Sequence, residues 1–169
     1  MNRVYLIGFM GVGKSTVAKK LASLLDWSYY DTDVAFEEKY KISINTFFEK
    51  YSEELFRKLE NEILISTFDL DNCIISTGGG TPCYADAMNK INENGISVYL
   101  EMNEKAILNR LLKSKQKRPL VIYKSEDELF GFINEKLISR RPHYSKATMT
   151  FPALSLDINE LFEKIKSCL

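Results

Sequence analysis

The run Gly8-Phe9-Met10-Gly11-Val12-Gly13-Lys14-Ser15-Thr16 leaves this chain few folds to choose from. It follows the short apolar run Val4-Tyr5-Leu6-Ile7. It opens a segment in which Val17, Leu21, Leu24 and Leu25 recur at helical spacing, with Ala18 and Ala22 beside them. The pattern predicts a strand, a glycine loop and a helix beginning near Lys14, running to about Leu25. The spacing of Gly8, Gly13, Lys14 and Ser15 is that of a phosphate-binding loop. Glycines let such a backbone curl so that several N–H groups point at one anion, and the helix N-terminus adds about half a positive charge. Lys14 is placed to reach the outer phosphates of a nucleoside triphosphate, and the Ser15 hydroxyl to ligate Mg²⁺. The bland alternative is a glycine-rich turn that binds nothing. The loop is silent about what receives the phosphate.

The rest of the chain suits one domain, residues 1–169, with a real core. Formal net charge is zero, so bulk charge gives no reason to expect a nucleic-acid or membrane partner. No apolar run approaches the roughly 20 residues that cross a bilayer. The first strand begins within three residues of Met1, and no signal peptide is expected. The three cysteines, Cys73, Cys83 and Cys168, are odd in number and lack metal-like spacing. A reducing, cytoplasmic setting is the expectation they carry. Cys83 reads as a small buried thiol rather than a site residue.

Ser28-Tyr29-Tyr30 reads as a short strand leading into Asp31-Thr32-Asp33. Ligands of open α/β sheets bind beyond the carboxyl ends of the strands, so both aspartates share an edge with the glycine loop. One could hold Mg²⁺ through water and the other accept a proton from an attacking hydroxyl; either could instead cap the helix expected from Val34 to Lys41. Ser43 looks like the cap of a further helix over 44–50. A helix over 53–68 carries its stripe on Leu55, Leu59 and Ile63, and Arg57 and Glu60 are close enough on it to pair. That pair is either an exposed ion pair or a steadied arginine that grips a carboxylate or phosphate.

Cys73 to Ser76 is a compact strand, followed directly by Thr77-Gly78-Gly79-Gly80-Thr81. A turn needs one or two glycines, so three in a row imply close approach of backbone to ligand. Pro82 to Asn92 reads as helical, Ile96 to Leu100 as a strand, and Asn103 as the cap of a helix with Ile107, Leu108, Leu111 and Leu112 on one stripe. The basic stretch Lys113 to Pro119 breaks the pattern. It is either a solvated loop or a lid, about 113–124, whose Arg118 neutralises charge during phosphoryl transfer. Ser125 to Glu128 is a capping box, and the helix it opens has Leu129, Phe130, Ile133 and Leu137 on its apolar face. Arg140 and Arg141 fall at the two edges of that stripe, and geometry does not choose between them. His143 reads as a surface or capping residue. Thr148 to Phe151 is the last candidate strand, and Asp157 to Glu160 a second capping box before a C-terminal helix.

Strands and helices alternate about five times, which predicts an α/β fold with a parallel sheet between helices. The ordered motifs Gly8 to Ser15, Asp31-Thr32-Asp33, Phe56-Arg57 to Glu60, Gly78-Gly79-Gly80, Arg118-Pro119-Leu120 and Arg140 to Tyr144 resemble shikimate kinases. The resemblance implies a P-loop NTPase fold of the nucleoside-monophosphate-kinase type, a three-layer sandwich with a five-stranded parallel sheet in the order 2-3-1-4-5. It also implies MgATP-dependent phosphorylation of the 3-hydroxyl of shikimate, on the route to chorismate and aromatic amino acids. Carried over by position, Gly11, Val12, Gly13, Lys14, Ser15 and Thr16 hold ATP phosphates, and Ser15 ligates Mg²⁺, with Asp31 joining through water. Asp33 holds ring hydroxyls and acts as base. Arg57 and Arg140 hold the carboxylate, Gly78, Gly79 and Gly80 meet the ring, and Arg118 reaches ATP from the lid. The helices over about 34–60 form the substrate-binding part, and a monomer is expected. Arg110 and Lys115 are the candidates for the family's earlier lid arginine. The stretch Phe151 to Leu154 lacks the arginine that some members place against adenine. Two alternatives are a gluconate-kinase-like enzyme and a catalytically silent kinase-like module.

Overall fold

The computed structural model describes residues 2–114 and 125–169. Arg118, Lys115 and the expected lid beyond Ser114 lie outside these residues. Five strands form one sheet: β1 (Arg3–Ile7), β2 (Ser28–Asp31), β3 (Cys73–Ser76), β4 (Ile96–Glu101) and β5 (Met149–Pro152). All pairings are parallel and the order is β2-β3-β1-β4-β5, as the resemblance implies. Parallel strands need crossover helices, which cover both faces of a sheet. Accordingly β1 and β3 are buried at every position, whereas the edge strand β2 is only half-buried.

The crossovers are α1 (Lys14–Leu25), then α2 (Thr32–Tyr40), α3 (Ile44–Lys50) and α4 (Glu53–Ser66) between β2 and β3, then α5 (Ala87–Asn94), α6 (Glu104–Lys113), α7 (Glu126–Tyr144) and the terminal α8 (Ile158–Lys166). Side-chain caps set many of their starts. Ser43, Ser52, Asn103 and Asp157 each accept from backbone N–H groups one turn on, and Ser125 with Glu128 completes the expected capping box. Of the box expected at 157–160, Asp157 supplies its half, accepting from the amides of Asn159 and Glu160. Pro142 does not end α7, which runs on to Tyr144.

The main core joins β1, β3 and β4 to Ala18 and Leu21 of α1, Ile107 and Leu111 of α6, and Ile133 and Leu137 of α7. A second, smaller cluster of Phe36, Phe47, Phe56 and Ile63 holds α2, α3 and α4 together through edge-on and tilted ring contacts.

Two expected helices differ from the structure. The buried stripe of α4 is Phe56, Glu60, Ile63 and Leu64, while Leu55 is exposed. The stripe is displaced because a carboxylate, Glu60, takes a core position. The expected helix over 82–92 is divided: Thr81–Cys83 forms a single 3₁₀ turn, Tyr84 is extended, Ala85 and Asp86 are left-handed, and α5 starts only at Ala87.

Candidate active site

Three strand ends build the site, because β3 lies between β2 and β1 and their carboxyl ends align. Ser76 is the register partner of both Leu6 and Asp31, which brings the loops after β1, β2 and β3 to one edge. Thr77 ties the third loop to the first, its amide and hydroxyl both donating to the Leu6 carbonyl, at 3.2 and 3.1 Å.

The loop after β1 is a cradle for an anion. Gly8 and Gly13 have φ of 139° and 101°, a region in which L side chains are strained, and a Cβ on Gly8 would lie 2.8 Å from the Leu100 carbonyl oxygen. Gly13 starts α1 with no side-chain cap, so the first amides of that helix are left for a ligand. Lys14 is buried, and its ammonium donates to the carbonyls of Gly8 and Phe9 at 2.8 and 2.9 Å. The Val12 side chain is buried, so that residue can offer a ligand only its backbone. Arg110 of α6 donates to the Val12 carbonyl at 2.9 Å. It braces the loop from the far side. A cleft of about 350 Å³ runs along this loop, lined among others by Gly11, Lys14, Ser15, Thr16, Asp33 and Gly79. A wider hollow of about 620 Å³ sits on α2–α4 among Tyr40, Ile42, Lys50 and Tyr51, and contains none of the motif residues.

Asp31 caps α2 and at the same time faces the glycine loop. One carboxylate oxygen accepts from the amides of Asp33 and Val34 and so caps α2. The other accepts from the Ser15 hydroxyl at 2.8 Å and the Tyr29 hydroxyl at 2.7 Å. Burial and the Asp31 carboxylate together push the Tyr29 phenol up to about 12.

The triple glycine is where the remaining motif residues meet. A Cβ on Gly78 would lie 2.9 Å from an Asp33 carboxylate oxygen and 2.7 Å from Glu60. One on Gly79 would lie 3.5 Å from the Arg140 guanidinium, and one on Gly80 would lie 2.5 Å from that of Arg57. Side chains here would fill the space in which a carboxylate, an aspartate and two arginines converge. The glycine turn is anchored by the Gly78 amide donating to Thr32, and by the buried Tyr144 hydroxyl donating to the Gly79 carbonyl. Arg140 lies over the Phe9 ring at 5.4 Å, while Arg141 pairs with Glu104 at 2.7 Å and ties α7 to α6. The structure thus separates the two arginines: Arg140 faces the glycines and Arg141 does not.

Arg57 is held by Glu60 at 2.8 Å and by Glu53 at 3.0 Å. Glu60 also accepts from Thr81 at 2.6 Å. Burial works against the Arg57 charge, but Glu60 and Glu53 outweigh it and hold the guanidinium above its ordinary value. Sequence reasoning paired Arg57 with Glu60 and missed Glu53, although its i,i+4 spacing from Arg57 was legible. Cys83 is half-buried rather than buried and lies within the field of Arg140 and Arg57; burial still pushes its thiol up to about 11. His143 is half-buried in the last turn of α7.

A parallel sheet in this order, with a phosphate cradle facing a pocket of two arginines and an aspartate, defines a P-loop kinase acting on a small anionic molecule. Comparison with known proteins narrows the class. The shikimate kinase family model matches residues 10–169. A shikimate kinase of Parabacteroides distasonis is 40% identical over 153 residues, 90% of this chain and 88% of the relative. The crystal structure of a shikimate kinase from Bacteroides thetaiotaomicron superposes with a TM-score of 0.92 at 34% identity, covering 99% of this chain and 97% of that one. That of a shikimate kinase from Acinetobacter baumannii, in complex with shikimate, gives 0.84 at 30% identity, covering 99% and 92%. The chain belongs to the shikimate kinase family.

Proposed function

We propose that this chain transfers the terminal phosphoryl group of ATP to the 3-hydroxyl of shikimate, as a monomer with one kinase domain. The convergence of Asp33, Arg57 and Arg140 on Gly78–Gly80, opposite the phosphate cradle, carries the reading. Two fixed cations suit the carboxylate of a hydroxylated acid, and an aspartate beside backbone suits its hydroxyls. Nothing of this kind is needed to read a nucleobase; gluconate is itself a hydroxylated acid, and it is the match of residues 10–169 to the shikimate kinase family that disfavours the gluconate-kinase-like and silent-module alternatives.

In this reading Gly11 to Thr16 hold the phosphates through backbone amides, and Lys14 exchanges the carbonyls of Gly8 and Phe9 for phosphate oxygens. Asp33 takes the proton of the attacking hydroxyl, and Arg118 neutralises charge from the lid. Phosphoryl transfer asks little covalent chemistry of a protein, so positioning and charge do most of the work. The donors beside the cradle are oxygens only, the Ser15 hydroxyl and the Asp31 carboxylate, which fits the hard Mg²⁺ ion. Among the described residues no cluster of three or more His, Cys, Asp or Glu could hold a metal ion by itself. Bound there, Mg²⁺ would supply charge neutralisation on the phosphate oxygens; the Ser15 hydroxyl would hold it directly and Asp31 through water. Among the described residues no helix is long and apolar enough to cross a membrane.

A coupled ADP-release assay with shikimate, gluconate and nucleoside monophosphates as acceptors tests the proposal. Turnover with shikimate is expected to exceed the others by at least about 100-fold, the discrimination that unpaired polar groups impose on a wrong substrate. Comparable rates on gluconate would refute it.

A further inference from the structure

The backbone after the 3₁₀ turn Thr81–Cys83 adopts an unfavourable conformation that the sheet and helices do not demand. Tyr84 is extended, with φ −123° and ψ 153°, and the next two residues, Ala85 and Asp86, have φ of 49° and 57°. Both carry a Cβ, for which the left-handed region is disfavoured. Asp86 moreover starts α5 without a side-chain cap. Backbone strain of this kind points to something the surroundings hold in place.

That something is the Tyr84 side chain. Its ring lies against the Arg57 guanidinium, 4.4 Å from ring centre to Cζ, and its hydroxyl donates to Glu53 at 3.2 Å. Glu53 in turn accepts from both Nε and one terminal nitrogen of Arg57, at 3.3 and 3.0 Å, while Glu60 takes the other terminal nitrogen at 2.8 Å. A guanidinium has five N–H groups. These bonds engage one on each of its three nitrogens and leave one N–H on each terminal nitrogen for a further acceptor. Glu60 is buried and needs no further restraint, but the Glu53 side chain is 55% exposed and would otherwise swing freely. Tyr84 is itself exposed, so it contributes little to the core.

We propose that Tyr84 is a positioning residue for recognition of the acid substrate: stacked on Arg57 and tied to Glu53, it fixes the plane in which the guanidinium meets the carboxylate. The inference rests on Arg57 being the carboxylate-binding arginine. The left-handed pair at Ala85 and Asp86 is the backbone device that turns Tyr84 onto Arg57 before α5 begins.

Steady-state kinetics on the full chain, with shikimate and ATP varied in turn, test it in Tyr84→Leu, Tyr84→Phe, Arg57→Ala and the double variant Arg57→Ala/Tyr84→Leu. Tyr84→Leu is expected to raise the shikimate KM about 5- to 20-fold, a range typical of a partly desolvated cation–ring contact. The ATP KM, kcat and melting temperature stay near those of the parent. Tyr84→Phe keeps the ring and recovers the shikimate KM to within about threefold. On the Arg57→Ala background the leucine substitution changes it by less than about twofold, because its route of action is gone. If Arg57→Ala raises the shikimate KM and Tyr84→Leu does not, the positioning role is overturned while the carboxylate reading stands. Full additivity in the double variant, or a parallel shift of both KM values with the melting temperature, also overturns it. An unchanged shikimate KM in Arg57→Ala overturns the carboxylate reading and the positioning role together.

Discussion

Gly80 shows how sharply a single residue is constrained here. Its φ of −94° is one any residue adopts, so no backbone strain opposes a side chain at this position. The constraint is the Arg57 guanidinium, whose Nη1, Cζ and Nη2 atoms would lie 2.5 to 2.7 Å from an added Cβ. A flexible arginine could move aside, but this one is pinned by Glu53 and Glu60. Gly80→Ala is therefore expected to fold normally and to raise the shikimate KM by about tenfold or more, the scale on which a misplaced binding group acts. Circular dichroism and kinetics together check it; a normal KM would show that Arg57 adapts freely. Asp33 separates the roles in another way. It lies beside Gly78, within the cleft that the phosphate loop lines. Asp33→Asn keeps the shape and loses the proton acceptor, so turnover should fall by about 10² to 10⁴ while ATP binding, measured by calorimetry, persists. Unchanged turnover would remove Asp33 as base.

At the scale of elements, α6 braces the phosphate loop through its Arg110 side chain. Arg110 donates to the Val12 carbonyl at 2.9 Å, and its guanidinium lies 3.4 Å from where a Gly13 Cβ would stand. Hydrogen bonds from a charged donor contribute about 1.5–3 kcal/mol, and this one holds carbonyls away from the anion so that amides face it. Arg110→Met should raise the ATP KM several-fold, leave the shikimate KM alone and lower the melting temperature by about 3 to 10 °C. A change confined to the shikimate KM would contradict the brace. Arg110 also shows the limits of sequence reading: the family resemblance made it a candidate for the nucleotide, and its contact with the loop backbone was not legible. The glycine loop, the aspartates after β2 and the triple glycine were legible, because each is a local pattern with local physics; the choice of Arg57 and of Arg140 over Arg141 came from the family resemblance. Strand order was legible through family resemblance and not through the residues themselves. Periodicity misplaced the stripe of α4, since counting apolar residues selects Leu55 and passes over a buried Glu60 whose partners, Arg57 and Thr81, make its burial possible. It also drew one helix over 82–92, because nothing local marks Ala85 and Asp86 as left-handed; the reason lies across space, in Arg57 and Glu53.

For the molecule as a whole, burial shifts several acids in the same direction. Tyr5 and Tyr144 are fully buried and Tyr99 nearly so, and burial pushes each phenol above its ordinary value of 10.0. The Cys73 and Cys83 thiols are raised as well, Cys83 to about 11. In the unfolded chain each group regains its ordinary value. Between that value and the native one, the unfolded state binds fewer protons than the native state, so stability falls as pH rises. The contribution is complete below about pH 9 and is lost progressively above it. A fully buried phenol alone gives a slope of about 1.4 kcal/mol per pH unit once pH passes 10. Tyr5 and Tyr144 should therefore both make the folded state progressively less stable as pH rises above 10, against the total of about 5–15 kcal/mol that typically separates folded from unfolded chains. Urea unfolding at pH 8, 9, 10 and 11 reads this directly: the midpoint should hold between pH 8 and 9 and then drop. Tyr5→Phe loses the contact with Thr67, at 3.1 Å, and should start from a lower midpoint at pH 8. Its decline should nevertheless be shallower, because one of the raised groups is gone. A level midpoint in the parent chain up to pH 11 would refute the account, and equal slopes in parent and variant would remove Tyr5 from it.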